Sequence, residues 1–322
     1  MELTSEVEDE ERMESMMSSK ERLWFMDVLA LSNAECIEFQ TIADNCFGKV
    51  AKVICGKSTY YFKTDPLLMG EAVKAQYLCA NYPKIFHEVI AVHAHESWQL
   101  SRDCGKELLY AIDLNYWFDS VRQLAKFHRK SFDKTALAPK KFTRAPFAFD
   151  QFSSLMADSQ FIEYWQVNSQ KRLKIEEGCS RLSSAVAHVS NALPKSALCH
   201  GDSHARNALI DSEGSCKWFD VREAHIGNPL FDIGWFLWWL VPDRTPLGIG
   251  IEVTKELREK LYREYLQELG VVENEPSIMD LMVATLMFRV VYFHRRYYQK
   301  TSIRPYVPYY LKQLIKLLES QY

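Results

Sequence analysis

The stretch Leu198-Cys199-His200-Gly201-Asp202-Ser203-His204-Ala205-Arg206-Asn207, followed by Lys217-Trp218-Phe219-Asp220, decides how the rest of this chain is read. It sets an acid, an amide five positions later, and a second acid at the end of a short apolar run. Such groups hold protons and hard cations through oxygen. Asp and Asn in loops ordinarily form turns or cap helices. Here three of them share one local pattern, flanked by strand-like pieces between Ala197 and Asp220, with Gly214 supplying the turn of a short hairpin.

Working outward, the 322 residues are 48% hydrophobic, enough to bury a large core and most naturally divided between two lobes. The formal net charge is −3 and Lys and Arg are scattered, so nucleic acid is not an expected partner. The eight cysteines stand singly without a C-x-x-C pair, and no signal-type segment precedes them, which fits reduced thiols in a cytoplasmic protein. The longest apolar run, Ile233 to Val241, is too short for a bilayer span. A monomer or homodimer is expected.

Residues Met1 to about Lys20 show no apolar stripe and read as a flexible tail or a solvent-facing helix. Val50 to Cys55 and Thr59 to Thr64, separated by Gly56-Lys57-Ser58, read as a β-hairpin. Ala72, Ala75, Leu78 and Cys79 recur at helical spacing between Met69 and Tyr82, and Pro83 closes that helix. Strand-like runs follow at Ile85 to Val92 and Ser97 to Ser101, before the polar Arg102-Asp103-Cys104-Gly105 breaks the pattern. Beyond it, helices are expected at Asn115 to Phe132, Phe161 to Leu193, Pro229 to Leu240, Glu252 to Leu269, Ser277 to Lys300 and Tyr306 to Glu319. The fold class is α+β: an antiparallel β-rich lobe over residues 1–101, a hinge at 102–105 and a mainly helical lobe over 106–322.

His200-Gly201-Asp202 with Asn207, then Phe219-Asp220 and Gly227-Asn228-Pro229-Leu230-Phe231-Asp232, resembles the aminoglycoside phosphotransferase and choline-kinase-like family of small-molecule kinases. The Asp202 to Asn207 spacing is also that of the protein-kinase pattern H-R-D-x-x-x-x-N. The resemblance covers most of the chain and implies a bilobal kinase fold with ATP in the cleft. It further implies Asp202 as catalytic base, Asn207 and Asp220 as magnesium ligands, and Asp232 as a buttress of the loop. His200 is assigned to loop shaping, and His204 and Arg206 are candidates for contact with a phosphate or the acceptor. Phosphoryl transfer asks for orientation and charge neutralisation more than covalent help, so carboxylates and an amide suffice.

A kinase also needs a cation on the nucleotide phosphates. Lys63, ending Tyr60-Tyr61-Phe62-Lys63, is the candidate, with Glu71 at the start of the next helix as its partner or simply a helix-terminal acid. The turn Asp44 to Lys49 holds one glycine rather than a G-x-G-x-x-G loop. Adenine is expected on the connector around Ser101, Asp103 and Cys104, with GTP left open beside ATP. Val221-Arg222 stands where regulated protein kinases have Phe-Gly after the metal-binding Asp, which points to a constitutive enzyme.

The acceptor expected from the resemblance is a small hydroxylated molecule: an amino-containing antibiotic, whose inactivation confers resistance, or a metabolite such as choline, ethanolamine, homoserine or a sugar; a nucleotide-binding pseudokinase is the non-enzymatic alternative. Asp232, Trp235, Phe236 and Trp239 fall on one helix face and read as core or as pocket wall. Glu264, Glu268, Glu273, Glu275 and Asp280 could attract a polyamine or form a solvated helix face, and Arg295 and Arg296 oppose that field.

Overall fold

The computed structural model describes residues 18–30, 37–103, 105–241, 249–271, 274–298 and 306–320. The chain divides after Cys104 into two compact units. The first contains α1 (Ser19–Val28), β1 (Ile37–Asn45), β2 (Gly48–Cys55), β3 (Ser58–Thr64), α2 (Glu71–Asn81), β4 (Val89–His93) and β5 (Trp98–Arg102). The strands form one antiparallel sheet in the order β1-β2-β3-β5-β4. Alternation along β2 and β3 turns Ala51, Val53 and Phe62 fully inward. Lys63 takes the next position on β3, paired in register with Val50 on one side and Gln99 on the other.

α1 begins at the end of the Met1–Lys20 stretch read as a flexible tail or a solvent-facing helix, and Ser18, Ser19 and Lys20 are exposed. Ser18 and Glu21 form a reciprocal cap: the Ser18 Oγ accepts from the Glu21 N–H at 3.2 Å, and the Glu21 Oε2 accepts from the Ser18 N–H at 2.7 Å. Phe25 is wholly buried with Val53, Phe62, Trp98 and Leu100. One deep aromatic anchor leaves no stripe for a periodicity search to find. Residues 1–17 lie outside the described residues.

The second unit opens with β6 (Lys106–Glu107) and a 3₁₀ turn at Leu108–Tyr110, then α3 (Leu114–Ser131), α4 (Phe149–Ala157), α5 (Ser159–Tyr164), α6 (Ser169–Glu177) and α7 (Cys179–Ala192). Next come β7 (Ala197–Cys199), β8 (Ala208–Ile210), β9 (Cys216–Trp218), β10 (His225–Gly227), α8 (Leu230–Trp239), α9 (Lys255–Leu269), α10 (Ile278–Tyr297) and α11 (Tyr306–Glu319). The expected helix from Phe161 to Leu193 is instead three, α5 to α7. Asn168 starts α6 by accepting the Lys171 N–H at 2.9 Å, and Gly178 separates α6 from α7. The helix α4 was not expected.

α10 is buried on nearly all sides and packs against α7, α8 and α11. Gly234 permits the close approach of α8, since a Cβ there would lie 2.1 Å from Thr285 Oγ1. Two small antiparallel pairings, β10 with β7 and β6-β8-β9, carry the loops between them. No helix among the described residues is long and apolar enough to cross a membrane.

Truncating Phe25 to Ala should cost about 3–5 kcal/mol of the first unit's stability. Chemical denaturation followed by tryptophan fluorescence would check it, because Trp24 and Trp98 adjoin Phe25 in the same cluster.

Candidate active site

Strand β7 delivers the chain into His200-Gly201-Asp202, and the Asp232 side chain, on the first turn of α8, receives it. Asp232 Oδ2 accepts the His200 N–H at 2.6 Å and Oδ1 accepts the Gly201 N–H at 2.9 Å. Ser203 Oγ donates to the Asp232 carbonyl at 2.7 Å. His128 of α3 reaches the same carboxylate from below, with Nε2 3.0 Å from Oδ2 and Nδ1 2.8 Å from the Tyr265 hydroxyl of α9. Burial opposes ionisation of Asp232, but the His128 hydrogen bond and the neighbouring imidazoles of His128 and His225 outweigh it and hold the carboxyl below its usual range. Gly201 must be glycine: its φ is +82°, and a Cβ would sit 2.1 Å from the Glu223 carbonyl.

The turn presents Asp202, whose carboxylate is gripped from α8 and α10. Its Oδ1 accepts from Trp235 Nε1 at 2.9 Å and from Arg289 Nη2 at 3.1 Å. Arg289 is buried; its Nη1 also donates to the Gly201 carbonyl at 2.9 Å, its Nη2 lies 3.2 Å from the Tyr310 hydroxyl, and the guanidinium stands 3.6 Å from the Trp235 ring centroid. Asp202 Oδ2 faces Asn207 Nδ2 at 3.3 Å and His204 Nε2 at 3.4 Å, and the side chain keeps 27% exposure. Burial works against the charge, yet His204 and then Arg289 prevail and keep the Asp202 carboxyl ionised well below the ordinary range. The result is an oriented carboxylate with one oxygen fixed by two buried donors.

His200 ties this turn to the second acid. Its Nδ1 accepts from the Asp202 N–H at 3.3 Å and its Nε2 donates to the Phe219 carbonyl at 2.7 Å, a pattern that needs the neutral ring. Burial lowers the ring's pKa in the same sense. The Phe219 N–H in turn donates to the Asn207 carbonyl at 3.0 Å. Asp220, next in the chain, is half-buried and holds a φ of +57°, a backbone state uncommon for a residue with a side chain. Asn207 Nδ2 donates to the Asp202 carbonyl at 2.8 Å, so the amide oxygen is left as the acceptor to offer a ligand. An amide oxygen and a carboxylate of this kind are hard donors that suit magnesium.

In the first unit Lys63 Nζ and Glu71 Oε1 form an ion pair of 2.5 Å, with the Glu71 side chain almost wholly buried. The Glu71 N–H donates to Asp65 Oδ2 at 3.2 Å, fixing the start of α2. Ser101 is buried on β5 and accepts from Gln99 Nε2 at 2.9 Å. Asp103 is exposed, and its N–H donates to the Thr59 carbonyl at 3.0 Å. Cys104 lies outside the described residues. The structure thus joins Lys63 to Glu71 in one unit, and Asp202, Asn207, His200 and Asp232 in the other.

Three residues that hold the site were missed from the sequence. Arg289 and His128 sit in helices whose apolar periodicity reads as core, and Tyr265 offers only its buried hydroxyl. A buried arginine in an otherwise apolar helix was the one available signal. The acids considered for a polycation are largely engaged: Glu264 pairs with Arg122 at 3.2 Å, Glu268 with Arg129 at 2.7 Å and Asp280 with His188 at 2.9 Å. Glu273 lies outside the described residues. Asp232, Trp235 and Phe236 are buried, Trp239 is half-buried with its ring 4.5 Å from that of His204, and Arg206 is exposed.

A family model described as the phosphotransferase enzyme family matches residues 91–273. No curated protein matches the chain. Among solved structures, a choline/ethanolamine kinase family protein from Mesorhizobium loti is similar at 14% identity, over 95% of this chain and 96% of that one, with a TM-score of 0.59. The choline kinase LicA of Streptococcus pneumoniae is similar at 12% identity, over 94% and 99%, with a TM-score of 0.56. An aminoglycoside phosphotransferase of Streptomyces rimosus, in complex with ADP and streptomycin, is similar at 14% identity, over 86% and 99%, with a TM-score of 0.52. The fold is therefore the bilobal, protein-kinase-like α+β fold.

Asp202 and Asp232 both titrate below an unfolded-chain Asp, whose pKa is about 4. The stability they contribute is present above about pH 4 and is lost progressively as pH falls below it, because the unfolded chain then binds protons that the native one resists. Asp232→Asn should unfold at lower temperature near neutral pH, since an amide turns a donor toward a buried backbone N–H, a cost of about 1–3 kcal/mol. Its stability should also fall less steeply in acid. Thermal unfolding of both proteins across an acid pH series measures the two effects.

Proposed function

The chain belongs to the phosphotransferase enzyme family, and on that premise we propose that it moves the γ-phosphoryl group of ATP, with magnesium, onto a hydroxyl of a small molecule. The observation that carries the reading is the Asp202 carboxylate, held at Oδ1 by Trp235 and Arg289 and flanked at Oδ2 by Asn207. Asp202 then orients the acceptor hydroxyl and takes its proton. Asn207 and Asp220 would hold magnesium, which supplies charge neutralisation at the phosphates. Lys63, steadied by Glu71, is assigned to the nucleotide phosphates, and the connector of Ser101, Asp103 and Cys104 to the base. GTP could serve in place of ATP. His200 and Asp232 hold the loop and touch no reactant.

For the acceptor, the first reading is an amino-containing antibiotic inactivated by phosphorylation, supported by the likeness to a kinase solved with streptomycin. A metabolic kinase acting on an amino alcohol is the second. It is favoured by the engagement of Glu264 and Glu268 in ion pairs with Arg122 and Arg129, which reduces the field available to a polycation. Cytoplasmic residence accompanies either reading.

Mass spectrometry of antibiotics, amino alcohols and sugars incubated with the protein, magnesium and ATP should find a one-phosphoryl gain on one class. Asp202→Asn should lower that turnover by about 100-fold or more while nucleotide-induced thermal stabilisation persists. Chelation of magnesium should abolish turnover in the unaltered protein.

The pH dependence is a separate check. Arg289→Gln removes one of the charges that keep Asp202 ionised, so the acidic limb of the rate profile should move to higher pH. Arg289→Lys should move it less. An unmoved limb in Arg289→Gln would place the rate-controlling ionisation elsewhere.

A further inference from the structure

The second unit contains a cavity of about 290 Å³ between one face of α10 and the segment 143–146. That segment is pinned to β10: the Ala145 N–H donates to the Ile226 carbonyl at 2.8 Å and the Ile226 N–H to the Thr143 carbonyl at 2.9 Å. α10 contributes Phe288, Tyr292 and Arg295 at helical spacing, with Arg296 beside them, and the segment 143–146 contributes Arg144 and Pro146.

The charges are unequal. Arg296 is almost fully buried and committed, with Nε 3.2 Å from Glu223 Oε2 and Nη2 donating to the Arg222 carbonyl at 3.0 Å. Arg144 and Arg295 are exposed, and neither has an acidic partner within ion-pair distance among the described residues. Arg122, Arg129, Arg172 and Arg289 each have one. Three guanidinium groups and no acidic side chain therefore line the cavity, and among the described residues only that of Arg296 is in an ion pair. A concave wall concentrates such a field, and a guanidinium fork matches the planar oxygens of a carboxylate or phosphate. Phe288, Tyr292 and Pro146 add an apolar surface that a bare inorganic ion would not use.

We propose that this cavity is a binding site for a small organic anion, a carboxylate or phosphate ester carried on an apolar body. Arg144 and Arg295 contact the anionic head, Arg296 is held in place by Glu223, and the rings receive the body. No residue assigned to phosphoryl transfer is needed for it, so it stands or falls apart from that reading.

Titration calorimetry of the full chain with benzoate and phenyl phosphate tests it, with benzyl alcohol as the neutral control of similar shape. Benzoate is the deciding probe, since phenyl phosphate could also enter a nucleotide site. Benzoate should bind measurably, and the double substitution Arg144→Ala/Arg295→Ala should weaken it about 10-fold or more, as expected for losing charged hydrogen bonds. Arg172→Ala, an exposed arginine elsewhere on the unit, should leave the affinity unchanged. Equal affinity in the double variant, equal binding of benzyl alcohol, or no binding of benzoate up to its solubility would each overturn the proposal. Because both substituted side chains are exposed, the variant should keep the parent's unfolding temperature, and that measurement guards against misreading a folding defect.

Discussion

One carboxylate, that of Asp232, organises the second unit. Two successive backbone N–H groups, those of His200 and Gly201, end on it, and His128 meets it from α3. A buried acid with these donors is stable as an anion, because charge-assisted hydrogen bonds replace the water it has lost. The consequence is geometric. The loop after β7 cannot move without breaking bonds to α8, and α8 in turn is tied through His128 and Tyr265 to α3 and α9.

Asp202 inherits its position from that anchor and its orientation from a second set of contacts. Trp235 follows Asp232 by three residues on α8, so one helix face supplies both the acid under the loop and the indole donor to the acid above it. Arg289 closes the arrangement from α10, stacked on the same indole and bonded to both the Gly201 carbonyl and the Asp202 carboxylate. A buried guanidinium is costly unless compensated, and here the carboxylate, a carbonyl and aromatic faces share the compensation. The neutral His200 ring carries the order onward to Phe219 and thus to Asp220. In the first unit a simpler device serves Lys63: a short ion pair to the first residue of α2, whose own backbone is fixed by Asp65.

Much of this was legible in the residues. The β2-β3 hairpin, α2, α3, α8, α10 and α11 follow from periodicity and from punctuation by Gly and Pro, which act locally. The spacing of Asp202, Asn207 and Asp220 pointed to a common site because turns and short strands constrain near neighbours. α1 and the division of the expected long helix into α5, α6 and α7 escaped, since a single anchoring aromatic and breaks at Asn168 and Gly178 leave only faint marks on an apolar pattern. The acid-rich positions looked available until their partners on other helices came into view.

The sequence by itself therefore determined the α+β class, the succession of a β-rich and a helical part and the local spacing of the oxygen-bearing side chains, all of which rest on short-range rules of backbone geometry and burial. Only the tertiary structure decided that Arg289, 87 residues from Asp202, fixes its carboxylate, that His128, 104 residues from Asp232, braces the anchor, and that Arg144 and Arg295 line one cavity. Electrostatic pairing depends on distances across packed helices. No local spacing in the chain encodes them.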